Sequence, residues 1–302
     1  GEYNINYAFT HSVTGKKLLL RVNCGSQMHL EHQIEYEAHA LRLMEGSGRT
    51  PKVLYVDGSK KILEHGVLVM EYLPGHAMDY HTELMLAAPC LADIHSVPIP
   101  ESEEILIHPQ NPLKAILEEC EEMFKVYLES PLGDGEKKTY IRELLDLGWK
   151  REAEIQLESG YQCCINTELN STNLLINGEG KSNYLIDWEK PLFGNPAQDL
   201  GHFLAPTTTF WKTDVILTSE EIEKFIDAYI KAVGNRFKTD MIREHTHAFI
   251  PITCLRGITW CAMAWVQYQQ PDKLIFNEST FKKLNAYLDM DFLKNIRGYL
   301  EP

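Results

Sequence analysis

The hydrophobic pattern of this chain changes period once, at Leu73-Pro74-Gly75, and that change sets the architecture. Before it, Lys17–Val22, Lys52–Val56 and Val67–Tyr72 are short runs rich in β-branched or aromatic residues, which read as strands. Between the first two, Leu30, Ile34, Ala38 and Leu41 fall at helical spacing, and Gly46 and Gly48 are expected to end that helix. Proline lacks a backbone donor and glycine frees φ, so the Pro-Gly step reads as a hinge. Beyond it the period is helical. Helices are expected over Glu83–His95, closed by Pro98 and Pro100, and over Leu113–Tyr127. Thr218-Ser219-Glu220-Glu221 has capping-box spacing ahead of the stripe Ile222, Phe225, Ile226, Tyr229 and Val233, with Gly234 as the stop. The expected fold is α+β: a small β-rich amino-terminal lobe over 1–72 and a large, mainly helical lobe over 73–302.

A length of 302 residues suits two lobes. The chain carries 29 basic against 43 acidic residues, a formal charge of −14. So negative a surface argues against nucleic acid as a partner and suits a cationic small molecule. The seven cysteines include no CxxC pair, which argues against a disulfide framework or a zinc site and for a reducing, cytoplasmic compartment. No apolar run approaches the ~18 residues of a membrane span, and no secretory signal opens the sequence, so no membrane is expected as a partner. Oligomeric state is not readable.

One segment of the helical part is irregular. Leu174–Ile176 and Tyr184–Ile186 flank Asn177-Gly178-Glu179-Gly180, a hairpin signal. A polar cluster, Asn166-Thr167-Glu168-Leu169-Asn170-Ser171-Thr172-Asn173, precedes it, and Asp187-Trp188-Glu189 follows. A tight hairpin returns the chain to its starting point, so Glu168, Asn173 and Asp187 can converge. Two carboxylates with a carboxamide make a hard oxygen site, suited to Mg²⁺ shared with substrate phosphates.

The order of these segments, from the Val-Met-Glu-Tyr-Leu-Pro-Gly hinge to Pro196-Ala197-Gln198-Asp199-Leu200, resembles the aminoglycoside phosphotransferase and choline kinase family over essentially the whole chain. That family has a bilobal, protein-kinase-like fold. Its catalytic loop reads His-Gly-Asp-Leu-x-x-x-Asn, and the matching residues here are Asn166, Thr167, Glu168, Leu169 and Asn173. The resemblance implies ATP and Mg²⁺ as cofactors. It makes Glu168 the proton acceptor, Asn173 and Asp187 metal ligands, Glu189 a further metal-side carboxylate, and Asp199 a loop scaffold. Gly1 and Asn4 resemble the tail of the loop covering the phosphates, so the small lobe is expected to lack its first strand. Arg21 stands where the family contacts phosphates and Glu37 where it orients that base. Glu71 and Leu73 would border adenine at the hinge. Trp211, Trp260 and Trp265 are candidates for the acceptor pocket, where aromatic faces attract cations, although helical spacing also allows them to be core.

Of the departures from the family loop, two bear on the chemistry: glutamate replaces the loop aspartate at 168, and asparagine replaces the histidine at 166. The resemblance therefore implies transfer of the γ-phosphate of ATP to the hydroxyl of a small, cationic acceptor such as an aminoglycoside, choline, ethanolamine or a related amino alcohol or sugar. The alternative is a non-catalytic nucleotide-binding protein on the same scaffold.

Overall fold

The structure is a computed structural model, and it describes residues 3–26, 28–155, 157, 160–270 and 277–301. Strands are β1 (Asn4–Thr10), β2 (Lys17–Asn23), β3 (Val53–Asp57), β4 (Gly66–Glu71), β5 (His76–Ala77), β6 (Cys163–Ile165), β7 (Leu174–Ile176), β8 (Tyr184–Leu185) and β9 (Leu192–Gly194). Helices are α1 (Gln33–Met44), α2 (Tyr80–His95), α3 (Pro112–Glu129), α4 (Gly135–Glu154), α5 (Pro196–Leu204), α6 (Pro206–Thr213), α7 (Ser219–Val233), α8 (Ile242–Tyr268), α9 (Glu278–Tyr287) and α10 (Met290–Leu300). The class is α+β, with the antiparallel sheet at the amino-terminal end and helices dominating thereafter.

The chain divides into two compact units. One comprises Gly1–His108, Tyr161–Asp199 and Ser219–Asp240; the other comprises Pro109–Gly160, Leu200–Thr218 and Met241–Pro302. The first holds an antiparallel sheet in the order β1-β2-β4-β3. Its register pairs Asn6 with Arg21 and Leu19 with Met70. Side chains alternate along a strand, so Asn6, Leu19, Arg21 and Met70 share one sheet face. Helix α1 packs on this sheet and buries Ile34, Glu37, Leu41 and Met44. The hairpin of β7 and β8 takes β5 on its other edge, and β6 pairs with β9. Helices α2 and α7 pack together in the same unit, with Leu91, Ile94, Phe225 and Tyr229 fully buried.

In the second unit α3 packs along α8 and buries Leu117, Phe124, Leu255 and Ile258. Asn111 caps α3, its side chain accepting from the Lys114 N–H at 3.0 Å, and Pro112 occupies the first turn, where a missing donor costs nothing. Helix α8 corrects one expectation. It is 27 residues long and contains an 18-residue window of mean hydropathy 1.4, apolar enough to cross a membrane, yet 72% of that window is buried inside the protein. Six of the seven cysteines are buried as free thiols, and Cys24 is exposed.

The amino-terminal segment differs from its expected form. Asn4–Tyr7, read as the tail of a loop, lie in β1 and pair with Arg21–Asn23 and Leu20 across the ladder. Gly1 lies outside the described residues. Strands β5, β6 and β9 were also not foreseen, since two or three residues carry too little alternation to register as a period.

The hinge needs its glycine. Gly75 has φ of +131°, and a Cβ there would lie 3.0 Å from the Cβ of Leu175 and 3.2 Å from the backbone nitrogen of Ile176. The chain thus passes over β7 so closely that a side chain there would force its neighbours to give by a few tenths of an ångström, on top of an unfavourable φ. Gly75→Ala is expected to cost about 1–3 kcal/mol. Gly46→Ala, where an added Cβ meets nothing within 4 Å and φ is not positive, should stay within about 0.5 kcal/mol of the parent. Urea denaturation of both variants checks the contrast.

Candidate active site

Arg21 is the point at which three elements meet. It projects from β2 with a side chain only 7% exposed, and its guanidinium pairs with Glu37 on α1. The same Nη1 donates to Asp187 Oδ1 at 3.0 Å, and Nε donates to Asn6 Oδ1 at 3.1 Å. Burial works against the guanidinium charge, but Glu37, Asp187 and Glu189 outweigh it, and the net effect raises its affinity for its proton. Glu37 is itself pushed up by burial, with Arg21 pulling the other way. Its Oε2 is a buried oxygen with no hydrogen-bond partner.

Glu189 closes the other side of this cluster. Its Oε2 accepts from the Asn4 side chain, and its carbonyl accepts from Gln33 Nε2 at 2.7 Å. Burial first, then the charge of Asp187, raises its carboxyl from an ordinary 4.5 to about 7, with Arg21 opposing and Glu168 and Glu37 adding. Three carboxylates, Glu37, Asp187 and Glu189, therefore share one guanidinium.

The segment carrying Glu168 is held from below by Asp199. That carboxylate is fully buried at the start of α5. Oδ2 accepts from the Asn166 N–H at 2.8 Å and Oδ1 from the Thr167 N–H at 2.7 Å. His95 Nε2 lies 3.2 Å from Oδ2, and its Nδ1 lies 2.9 Å from the Tyr229 hydroxyl. A proton on Nε2, with Tyr229 donating to Nδ1, satisfies every atom of this chain. The Asn166 side chain bridges two segments. Its Nδ2 donates to the Asp187 carbonyl at 2.8 Å, and its Oδ1 accepts from the Glu168 N–H at 3.1 Å. Asn173 Nδ2 donates to the Glu168 carbonyl at 3.1 Å, and its Oδ1 is an oxygen of the type a hard cation takes as ligand. Thr167 and Asp187 both adopt the left-handed conformation, at φ of 64° and 66°. Aspartate tolerates it; for a β-branched residue it costs about 1–2 kcal/mol.

A cavity of about 210 Å³ adjoins this cluster, and Arg21, Glu37 and Asp187 form its polar end. Leu19, Met70, Leu175 and Ile186 line its apolar part, and Glu71, Tyr72 and Leu73 border it along the hinge. Lys17 Nζ stands 3.9 Å from the Tyr72 ring centroid. The apolar lining was not singled out in the sequence. Strand alternation carried the signal: Leu19 lies two residues before Arg21 on the same face.

The tryptophans belong to the second unit. Trp211 and Trp260 meet edge to face, centroids 5.3 Å apart, while Trp265 packs on Tyr127 and donates to Asn285 Oδ1 at 3.0 Å. Trp211 lines a cavity of about 300 Å³ with Phe210, Asp214 and Lys283. Lys283 is paired with Asp214 and places Nζ 3.4 Å from the Phe210 ring centroid, so an internal cation already covers that aromatic face.

The donor set around Asp187 fits a hard divalent cation. Among the described residues no three His, Cys, Asp or Glu side chains gather as a protein-only metal cage. Magnesium does not need one: it is usually held by one or two carboxylates with phosphate oxygens completing its shell. The surplus of carboxylates over cations at Glu37, Asp187, Glu189 and Glu168 is the charge such an ion would balance.

Known proteins give this geometry a context. The family described as phosphotransferase enzyme family matches residues 1–244. The chain belongs to that family. It is an enzyme of the small-molecule kinase class. Solved structures share its fold at low identity. A spectinomycin phosphotransferase in complex with ADP and spectinomycin superposes with a TM-score of 0.65 at 15% identity, over 99% of this chain and 89% of that one. A choline kinase from Cryptosporidium parvum Iowa II gives 0.67 at 14%, over 99% and 89%. An amicoumacin kinase in complex with AMP-PNP, Ca²⁺ and Ami gives 0.64 at 13%, over 100% and 88%. No curated protein matches the sequence.

The raised Glu189 carboxyl makes stability pH-dependent. In the folded phosphotransferase it keeps its proton up to about pH 7, whereas the unfolded chain releases it near 4.5. Between those values the folded state binds more protons, so this group's contribution to stability is lost as pH rises from 4.5 through 7. Glu189→Gln removes the titration. The difference in stability between variant and parent should shift in favour of the variant over that window, as read by urea denaturation at pH 5, 6, 7 and 8.

Proposed function

We propose that this phosphotransferase moves the γ-phosphate of ATP to a hydroxyl of a small cationic molecule. The observation that carries the reading is the continuity of one cavity. An apolar slot edged by hinge backbone runs into a polar end where Arg21, Glu37 and Asp187 are in contact. Adenine would lie between Leu19 above and Leu175 and Ile186 below, with the main chain at Glu71 and Leu73 facing its edge. Arg21, directed by Glu37, would bind phosphate oxygens, and Asn4 at the start of β1 lies within the same cluster through Glu189. The small lobe would end at residue 72 and the helical lobe begin at 73.

Asn173 Oδ1 and Asp187 would hold Mg²⁺, with Glu189 beside them, and the ion would supply positive charge against the phosphate oxygens. Glu168 would accept the proton of the acceptor hydroxyl as its oxygen attacks phosphorus, a transfer needing about 2.6–3.2 Å between heavy atoms. Asp199 would keep the 166–168 backbone in place through its two N–H bonds. Phosphoryl transfer depends on positioning and charge balance more than on covalent chemistry, which is what this cluster supplies.

The acceptor class follows from charge. The formal charge of −14 and the surplus of carboxylates around Asp187 favour a cation. The solved structures of similar fold include kinases named for spectinomycin, choline, ethanolamine and amicoumacin. An aminoglycoside-like amine or an amino alcohol is the reading to test, and a cytoplasmic setting is proposed on the strength of the buried free thiols.

The test is ADP release from ATP with Mg²⁺ against aminoglycosides, choline, ethanolamine and simple sugars. One cationic acceptor should give turnover that EDTA abolishes. Glu168→Gln should lower kcat by about 10²–10⁴-fold with little change in nucleotide affinity, and Asp187→Ala should abolish turnover while the fold survives. Nucleotide binding without turnover of any acceptor would instead support a non-catalytic binding protein.

A further inference from the structure

Residue 167 presents a contradiction that the cavity does not explain. The loop turns there at φ of 64°, a conformation open to glycine and unfavourable for a β-branched side chain. The resembling family has glycine at this place, and this chain has threonine. The residue is 4% exposed, so its side chain is inside the protein. Its N–H is already spent on Asp199 Oδ1, which would be equally true of glycine. What glycine could not do is form the bond from Oγ1–H to the Lys190 carbonyl, at 2.6 Å.

That bond has a specific reach. It ties the segment bearing Glu168 to the far end of the segment 187–190. The Asn166 side chain ties the same loop to the near end, at the Asp187 carbonyl. Two adjacent side chains thus hold both ends of the stretch that carries Asp187 and Glu189. Residue 168 follows directly and bears the longer acidic side chain. The three differences from the family loop, at 166, 167 and 168, are consecutive.

We propose that Thr167 is a positioning residue whose hydroxyl, bonded to the Lys190 carbonyl, sets the place of the Glu168 carboxylate and makes glutamate workable where the family uses aspartate. The proposal rests on the reading of Glu168 as proton acceptor. It accounts for a strained threonine at a glycine position: the strain is retained because the tether is useful. With that bond cut, the loop loses its tie to the far end of 187–190 while Asn166 still holds the near end, and the Glu168 carboxylate is placed less closely.

The experiment compares Thr167→Ser, Thr167→Val and Thr167→Gly in the full chain, by steady-state kinetics, thermal melting and crystal structures. Serine keeps the hydroxyl and should keep kcat within about twofold to threefold. Valine keeps the shape without the hydroxyl and should lower kcat at least tenfold with KM for ATP unchanged. Glycine removes strain and tether together, so it should melt no lower than the parent and still lose at least tenfold in kcat. A residue that served stability alone could not produce that divergence. The loss caused by Thr167→Gly should shrink when Glu168→Asp is added. Glycine and valine variants with parental kcat, or losses of equal size with either acid at 168, would overturn the proposal. A parent with no turnover, or one indifferent to Glu168→Gln, would instead overturn the kinase reading. The crystal structures decide the tether in that event: an unmoved loop in Thr167→Val and Thr167→Gly refutes it, and displacement of residue 168 away from Lys190 supports it.

Discussion

Asp199 is the residue on which the rest of the site depends. A carboxylate removed from water needs its charge met by donors, and here two backbone N–H groups and an imidazole supply them. Those donors come from a loop and from the end of α2, so satisfying one buried charge fixes both. The left-handed turn at 167 follows, because consecutive N–H groups at 166 and 167 must point to one acceptor. Glu168 emerges from that turn. Removing either partner would leave a buried donor or charge unmet, which is far more costly than the net value of the bonds themselves.

The second determinant is an imbalance of charge. Arg21 faces Glu37 and Asp187 directly, and Glu189 lies close enough to raise its proton affinity. One cation cannot satisfy so many acids: burial first, and then the charge of Asp187, push the Glu189 carboxyl up. Fold stability would favour fewer acids at this spot. A divalent cation beside Asp187 is the kind of charge that would offset this surplus.

Much of the fold was legible because period-two and helical patterns are strong where elements are long. The strands β2 and β4 and the helices α2, α3 and α7 fall where their hydrophobic residues place them, within a few residues at the ends. The short β7 and β8 were marked by the turn between them, whereas β5, β6 and β9 left no such trace and exist because long-range partners pair with them. Asn4 shows the other limit. Nothing local marks it as a strand residue; its place comes from pairing with Asn23 and from the reach of its amide to Glu189. At the site, residue types pointed to oxygen chemistry, but contacts such as Asn166 to the Asp187 carbonyl span 21 positions and follow from the tertiary fold alone. Leu19 was within reach of strand alternation and was passed over in favour of its charged neighbour.

The interior thiols have a consequence of their own. Burial raises Cys90, Cys120 and Cys254 to about 12 and drives Cys163, Cys164 and Cys261 well above the ordinary range. A thiol is nucleophilic as its anion, so these six are chemically silent while the protein is folded. Only Cys24 meets solvent. A maleimide or a mild oxidant therefore encounters a molecule with one reactive handle, and each further thiol that reacts records a moment when the interior came open.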